Sequence, residues 1–206
     1  KSWVNKIKLK TINDLPYNLK NYFFLISRPA SKNYLTYKTK IKIFTELANE
    51  CKIRKKILVI KLHPKENKKF WSDIYKKILK QNDIDFYFSE NHPYTLANKS
   101  LISFSYFSEL TVSLSNQKIP VIEYLPLSNL KDPMNTCLRD IKNQKVFDYR
   151  YANLVHGVSN NKELKTKIDF IIKNRDLAVK FTYDKYKKLF MNNYSDIKKV
   201  IKLISR

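Results

Sequence analysis

The stretch ILVIKLHP, residues 57–64, decides the reading of this chain: an apolar run rich in β-branched side chains stops abruptly at Lys61, His63 and Pro64. A short, continuous apolar run closed by a proline is the pattern of a strand buried on both faces, and Pro64 both ends the pairing and stiffens the loop. In open α/β sheets, ligands bind outside the carboxyl ends of the strands. A cation and an imidazole delivered there are therefore placed to meet a ligand. Residues 101–124, LISFSYFSELTVSLSNQKIPVIEY, supply the complement: a strand, a serine-bearing turn, a short helix and another strand. Together the two stretches predict a phosphate or nucleotide pocket.

Outward from this core, the apolar period alternates between continuous runs and helical spacing. Residues 22–26 form a buried run closed by Ser27, Arg28 and Pro29. Tyr37, Ile41, Phe44, Leu47, Ala48 and Cys51 then recur at three- and four-residue steps, as one face of a helix does. After the strand at 57–62, Phe70, Trp71, Ile74, Ile78 and Leu79 mark a second helix, and residues 84–88 a third strand. Strands at 101–105 and 121–125, with a helix at 108–115 between them, extend the series. This β-α alternation predicts an α/β, Rossmann-like parallel sheet with helices on both faces. Residues 126–146 read as irregular, 146–149 and 154–158 as short strands, and the remainder as helical. The expected organisation is one Rossmann-like domain over residues 1–206, with a core at about 20–160 and a helical cap at 161–206.

Composition narrows the classes. The chain has 206 residues and is 43% hydrophobic, enough to bury a core. Its formal net charge is +23, from 41 Lys and Arg against 18 Asp and Glu. Such an excess first suggests nucleic acid. Here the cations are mostly lysines spread along the whole chain, so no specific nucleic-acid partner is expected. A field of that sign still attracts anionic nucleotides, acidic glycans or an anionic membrane face. With a single glycine, Gly157, neither a GxGxxG fingerprint nor a Walker A loop can be written. Cys51 and Cys137 show no CxxC spacing, which predicts reduced thiols, a cytoplasmic setting and no metal site. No apolar run reaches the roughly 18–20 residues of a membrane span, so association with an inner membrane would be peripheral. The chain begins at Lys1 without a Met, as a fragment or processed product would.

The chemistry must then come from side chains and helix ends. His63 can donate to a phosphate oxygen, with Lys61 nearby as a cation. His92-Pro93 reads as a turn feeding a helix, and His156 as structural. Ser103, Ser105 and Ser108 fall at a strand end and a helix start, where hydroxyls and unpaired amides can hold an anion or simply cap the helix. Glu109 can accept a hydrogen bond from a ribose or sugar hydroxyl. Glu123, inside an apolar strand, needs a polar partner or a ligand. Arg28 can add a cation to a bound ligand, or remain a solvated loop residue. Asp83 and Asp85 approximate a DxD pair, but they interrupt a strand, so the expected mechanism is metal-independent, with no cofactor.

The run IKLHPKE, followed about forty residues later by SFSYFSELTVSLSNQKIPVIEY, resembles the C-terminal, nucleotide-binding half of GT-B glycosyltransferases that build bacterial surface polysaccharides, in particular the His-Pro sialyl-, polysialyl- and Kdo-transferases. The resemblance spans residues 22–125. It implies a CMP-activated sugar donor such as sialic acid or Kdo, transferred to a glycan or glycolipid acceptor. His63 would be the catalytic contact to the donor phosphate with one or both of Ser105 and Ser108, and Glu123 and Tyr124 would lie near the nucleotide. Ser113 and Lys118 stand where many relatives carry an acid and a glycine. The acceptor's general base belongs to the N-terminal domain of that fold, which the residues before Tyr22 are too few to build. CDP-glycerol-type glycerophosphotransferases share the pattern and are the alternative within the architecture. A non-enzymatic, polyanion-binding basic module is the alternative outside it.

Overall fold

The computed structural model of the chain describes residues 14–127, 137–139 and 145–191. The first half alternates β1 (Tyr22–Ile26), α1 (Tyr37–Ile53), β2 (Leu58–Lys61), α2 (Lys68–Gln81) and β3 (Phe86–Phe88). The second half runs α3 (Pro93–Lys99), β4 (Ser100–Ser105), α4 (Leu110–Asn116), β5 (Val121–Tyr124), the short pair β6 (Cys137–Arg139) and β7 (Lys145–Phe147), α5 (Asp148–Tyr151), β8 (His156–Val158), α6 (Asn161–Lys173) and α7 (Arg175–Tyr186). The last described turn, Lys187–Met191, is π-helical. β6 and β7 form an antiparallel two-stranded sheet.

The other strands make one six-stranded sheet in the order β3-β2-β1-β4-β5-β8, every neighbouring pair parallel. The Rossmann-like α/β architecture expected from the alternation is therefore the architecture observed. β1 is buried throughout, YFFLI with no exposed residue, because it lies at the sheet centre with helices on both faces. Each such Phe or Leu contributes roughly 1.5–3 kcal/mol relative to exposure. Alternation along the strands divides the apolar side chains. Leu25, Ile60 and Phe104 pack with α1, α2 and α6, whereas Phe24, Ile26 and Val59 pack with Tyr94 of α3 and Leu114 of α4.

Three sequence expectations shift. The stretch 126–146, expected to be irregular, carries the strand β6, which finds its pairing partner in β7. The strand expected at 146–149 ends at Phe147, and Tyr149 falls in α5. The apolar-face residues Tyr37 and Phe70 are 55% and 43% exposed instead of buried. The apolar positions at 197–201 lie outside the described residues.

Glycine scarcity shapes the turns. Asn21, Lys55, Asp83, Lys118 and Asn153 all adopt positive φ of 50–59° just before a strand, where glycine is the usual solution. Gly157 serves another purpose: a β-carbon built on it would stand 2.5 Å from Cδ and 2.9 Å from Nε of Arg150. Lys55→Gly should raise the urea midpoint by the equivalent of up to about 1 kcal/mol, because left-handed backbone costs L-residues about 1–2 kcal/mol and glycine returns part of that as unfolded-state entropy. Gly157→Ala should lower it by about 1–3 kcal/mol through overpacking against Arg150. Equilibrium urea unfolding of the two variants beside wild type checks both signs.

Candidate functional site

Register carries the polar strand ends into one row. Lys61 pairs with Ile26, Ile26 with Ser105, Ser105 with Glu123 and Glu123 with Gly157, all at the carboxyl edge of the sheet. The chain winds from β1 through β2 to β3 in one direction and from β4 through β5 to β8 in the other, so the loops after β1 and β4 diverge and open a crevice between them. Beside this switch point lies a cavity of about 220 Å³, lined by Ser27 after β1, Lys61, His63 and Pro64 from β2 and its loop, Pro93 of α3, and Ser108 before α4. Of the sequence candidates, the structure thus brings together Lys61, His63, Pro64 and Ser108.

His63 is held rather than free. Its Nδ1 accepts from the amide of Lys65 at 3.1 Å, which assigns the proton to Nε2. Burial lowers its pKa below the ordinary histidine value, with Arg28, Lys65 and Lys40 adding to that and Glu66 opposing it. At neutral pH it is an uncharged Nε2–H donor. Its backbone N donates to Glu66 Oε2 at 2.6 Å. The other carboxylate oxygen of Glu66 accepts from Ser27 Oγ at 2.9 Å and from Lys40 Nζ, in an ion pair whose side chains are both fully buried. Lys40 Nζ also donates to the carbonyl of Arg28 at 2.7 Å and lies 3.5 Å over the Trp71 ring. Burial draws the Lys40 pKa down to about 8 against the pull of Glu66.

The remaining candidates divide. Arg28 is half-buried, not a solvated loop residue; its guanidinium donates to the carbonyl of Phe107 and lies 5.2 Å from the centroid of that ring, bridging the loops after β1 and β4. Phe107 has φ 119°, a strained value for a bulky side chain, at the switch point, and its amide donates to Ser105 Oγ at 3.1 Å. Ser105 therefore builds the turn. Ser108 Oγ accepts from Leu110 N at 3.4 Å, a weak cap at the cavity wall. Ser103 does not join them: it shares the face of Ser105 but is buried two residues deeper in β4, 3.1 Å from Ser100 Oγ, so depth keeps it from the edge. Glu109 is exposed and makes no side-chain cap. Glu123 has its partner within the fold, since Arg150 Nε donates to Oε1 at 2.6 Å and Nη2 reaches the carbonyls of Glu123, Leu125 and Val158. Burial raises the Glu123 pKa, with Arg150 opposing.

Among the other histidines, His92 caps α3 and so feeds a helix, with Pro93 reaching the cavity. His156 is structural, 3.2 Å from the carbonyl of Ala178. Asp83 and Asp85 line a different cavity with Cys51, Lys52, Lys55 and Lys56, before β3 begins and thus at the amino end of the strands. Sequence reasoning missed Lys40, Ser27 and Arg150. For Lys40 the available signal was a lysine on the apolar face of α1, three residues before Ile43. Among the described residues, no helix is long and apolar enough to cross a membrane.

No protein-family profile matches the chain, and no curated protein matches it. Solved structures do. The chain aligns with UDP-GlcNAc 2-epimerase from Neisseria meningitidis bound to UDP-GlcNAc at TM-score 0.53 and 15% identity, covering 91% of this chain and 45% of that one. It aligns with a co-structure of S. aureus MnaA and UDP at 0.54 and 15%, covering 91% and 48%. For UDP-GlcNAc 2-epimerase from Methanocaldococcus jannaschii, in complex with UDP-GlcNAc and UDP, the values are 0.51 and 12%, covering 85% and 46%. The chain spans just under half the length of these proteins. At such identities the likeness shows the fold: a Rossmann-like α/β unit of the kind found in GT-B-like nucleotide-sugar enzymes. It narrows the sequence resemblance to that fold and gives no support to the His-Pro transferase groups in particular.

The Lys40–Glu66 pair should dominate local stability. Lys40→Met, which strands a buried carboxylate, should cost about 3–5 kcal/mol, and adding Glu66→Gln should recover much of it. The Lys40 pKa is lower in the folded state than in the unfolded one, so the unfolded chain binds more protons between pH 8 and 10. Stability from this group rises with pH across that window. Urea midpoints of wild type should therefore gain on those of Lys40→Met as pH goes from 8 to 10; parallel curves would refute the assignment.

Proposed function

We propose that this chain is the nucleotide-sugar-binding half of a GT-B-like enzyme, with the phosphate of the leaving nucleotide seated in the cavity of Lys61, His63 and Ser108. The observation that carries the reading is their convergence on one cavity at the carboxyl edge, beside the switch point of the sheet. As a glycosidic C–O bond breaks, negative charge grows on the phosphate. The Lys61 ammonium and the Nε2–H of His63 would oppose that charge without a metal ion. The cavity lining contains no carboxylate, so it serves the leaving group and offers no base for an acceptor hydroxyl.

The finer reading is transfer of a CMP-activated sugar, such as sialic acid or Kdo, to a glycan or glycolipid, with a CDP-glycerol donor as its alternative. It rests on the His-Pro and serine motifs. A second reading, chemistry on a UDP-sugar, is favoured by the UDP-GlcNAc and UDP in the similar structures. In each, His63 would touch the phosphate.

Calorimetric titration of CMP, CDP, UDP and UDP-GlcNAc into wild type and His63→Ala tests the proposal. Loss of a hydrogen bond to a charged group is worth about 1.5–3 kcal/mol, so His63→Ala should weaken the preferred nucleotide at least tenfold. Preference for cytidine over uridine nucleotides decides between the finer readings. Absence of binding by all of them, or equal binding to the variant, would overturn the phosphate site.

A further inference from the structure

Side-chain alternation along β2 sends Lys61 toward the phosphate cavity and Ile60 toward α2. On that second face, the groove between α2 and the edge strand β3 forms another cavity, of about 270 Å³, which meets the first at Leu62. Its wall carries Lys68, Lys69 and Lys76, and Phe88 contributes an apolar surface beside Leu62. The one carboxylate in the lining, Glu90, is engaged by Lys68 at 2.9 Å and by Lys61 at 3.6 Å. No ion pair among the described residues neutralises Lys69 or Lys76. Lys76 Nζ instead lies 5.7 Å from the centroid of the Phe88 ring.

Lys68 and Lys69 sit at the wrong end of the helix that bears them. The first turn of α2 holds no acidic residue, and Lys68 and Lys69 open it, where the macrodipole disfavours positive charge. Lys69 breaks this rule with no ion pair in return among the described residues, and a cost without that return marks a place to look for a ligand. The cavity defines that ligand's chemistry. Lysines ask for an anion, Ser72 offers a hydroxyl for polar groups, and Leu62 with Phe88 presents a face on which the C–H side of a sugar ring can pack. The Lys61–Glu90 contact links the two cavities, so an occupant here sits next to the leaving phosphate.

The geometry points to a subsite for a sugar unit bearing a carboxylate or phosphate, held by Lys69 and Lys76 over Leu62 and Phe88: an anionic acceptor, on the opposite side of β2 from the donor phosphate. This rests on the proposed function and specifies the partner of that site.

The test titrates tetragalacturonate, glucose 6-phosphate, maltotetraose and a short oligo-dT into the full chain and into Lys69→Ala/Lys76→Ala, with thermal melts confirming the fold. The expected result is binding of one or both anionic sugars, weakened at least tenfold in the variant, with no binding of neutral maltotetraose. Which anion binds tells carboxylate from phosphate. If the alanine variant does not fold, Lys69→Gln/Lys76→Gln removes the charges while keeping the stems, and the same loss is expected. Equal affinity of wild type and variant, binding of neither anionic sugar, or oligo-dT binding as tightly as the sugars would each overturn the subsite. The nucleotide titrations with His63→Ala report separately on the phosphate cavity. Nucleotide binding without sugar binding sinks this inference alone. Lysine-dependent sugar binding without nucleotide binding keeps the subsite and sinks the donor reading.

Discussion

A buried carboxylate organises the carboxyl edge of this sheet. Glu66 accepts from Lys40 of α1, from Ser27 after β1 and from the amide of His63 after β2, so two loops and a helix converge on one side chain. Removing two charges from water is expensive, and the arrangement is stable only because Glu66 and Lys40 are hydrogen-bonded to each other and to further partners. Trp71 adds its π-face beneath the ammonium, replacing part of the lost hydration. The His-Pro loop is therefore fixed before any ligand arrives, and His63 presents one defined nitrogen to the cavity.

The strand order creates the crevice, and the loop after β4 bears its strain. Phe107 is held at positive φ by the hydrogen bond its amide donates to Ser105 Oγ, by Arg28 on its carbonyl and by stacking on Tyr149 at 5.0 Å. Strain of this kind persists only where surrounding contacts over-determine it. At the far side of the same edge, Arg150 ties the ends of β5 and β8 through Glu123 and backbone carbonyls. That clamp explains the single glycine, because a side chain at 157 would occupy the path of the Arg150 stem. Arg28 thus spans the switch point and Arg150 ties the β5–β8 end of the same edge, each through backbone carbonyls.

Much of the fold was legible. The runs 22–26, 57–62, 101–105 and 121–125 each match an observed strand to within one residue at either end, because burial on both faces leaves a continuous apolar signature that needs no tertiary knowledge. The polar strand ends Lys61, Ser105 and Glu123 were equally visible. Their fates differ for a reason that lies outside the local sequence. Lys61 faces a cavity, Ser105 accepts from the amide of Phe107 two residues on, and Glu123 meets Arg150, a partner 27 residues away. Tyr37 and Phe70 carry the helical period of core residues yet stay half exposed, Tyr37 stacked on Trp71 and Phe70 edge-on to it.

By itself, then, the sequence determined the alternation of elements, the parallel sheet, the absence of glycine-loop nucleotide motifs and the delivery of Lys61 and His63 to a strand end. These depend on periodicity and on short-range backbone chemistry, which act over a few residues. The tertiary structure alone decided strand order, and with it the position of the switch point. It also decided the pairing of Lys40 with Glu66 across 26 residues, the capture of Glu123 by Arg150 and the seclusion of Ser103 from the edge. Those outcomes rest on which side chains meet in a low-dielectric interior, and that is set by how the helices cross the sheet, not by any spacing along the chain.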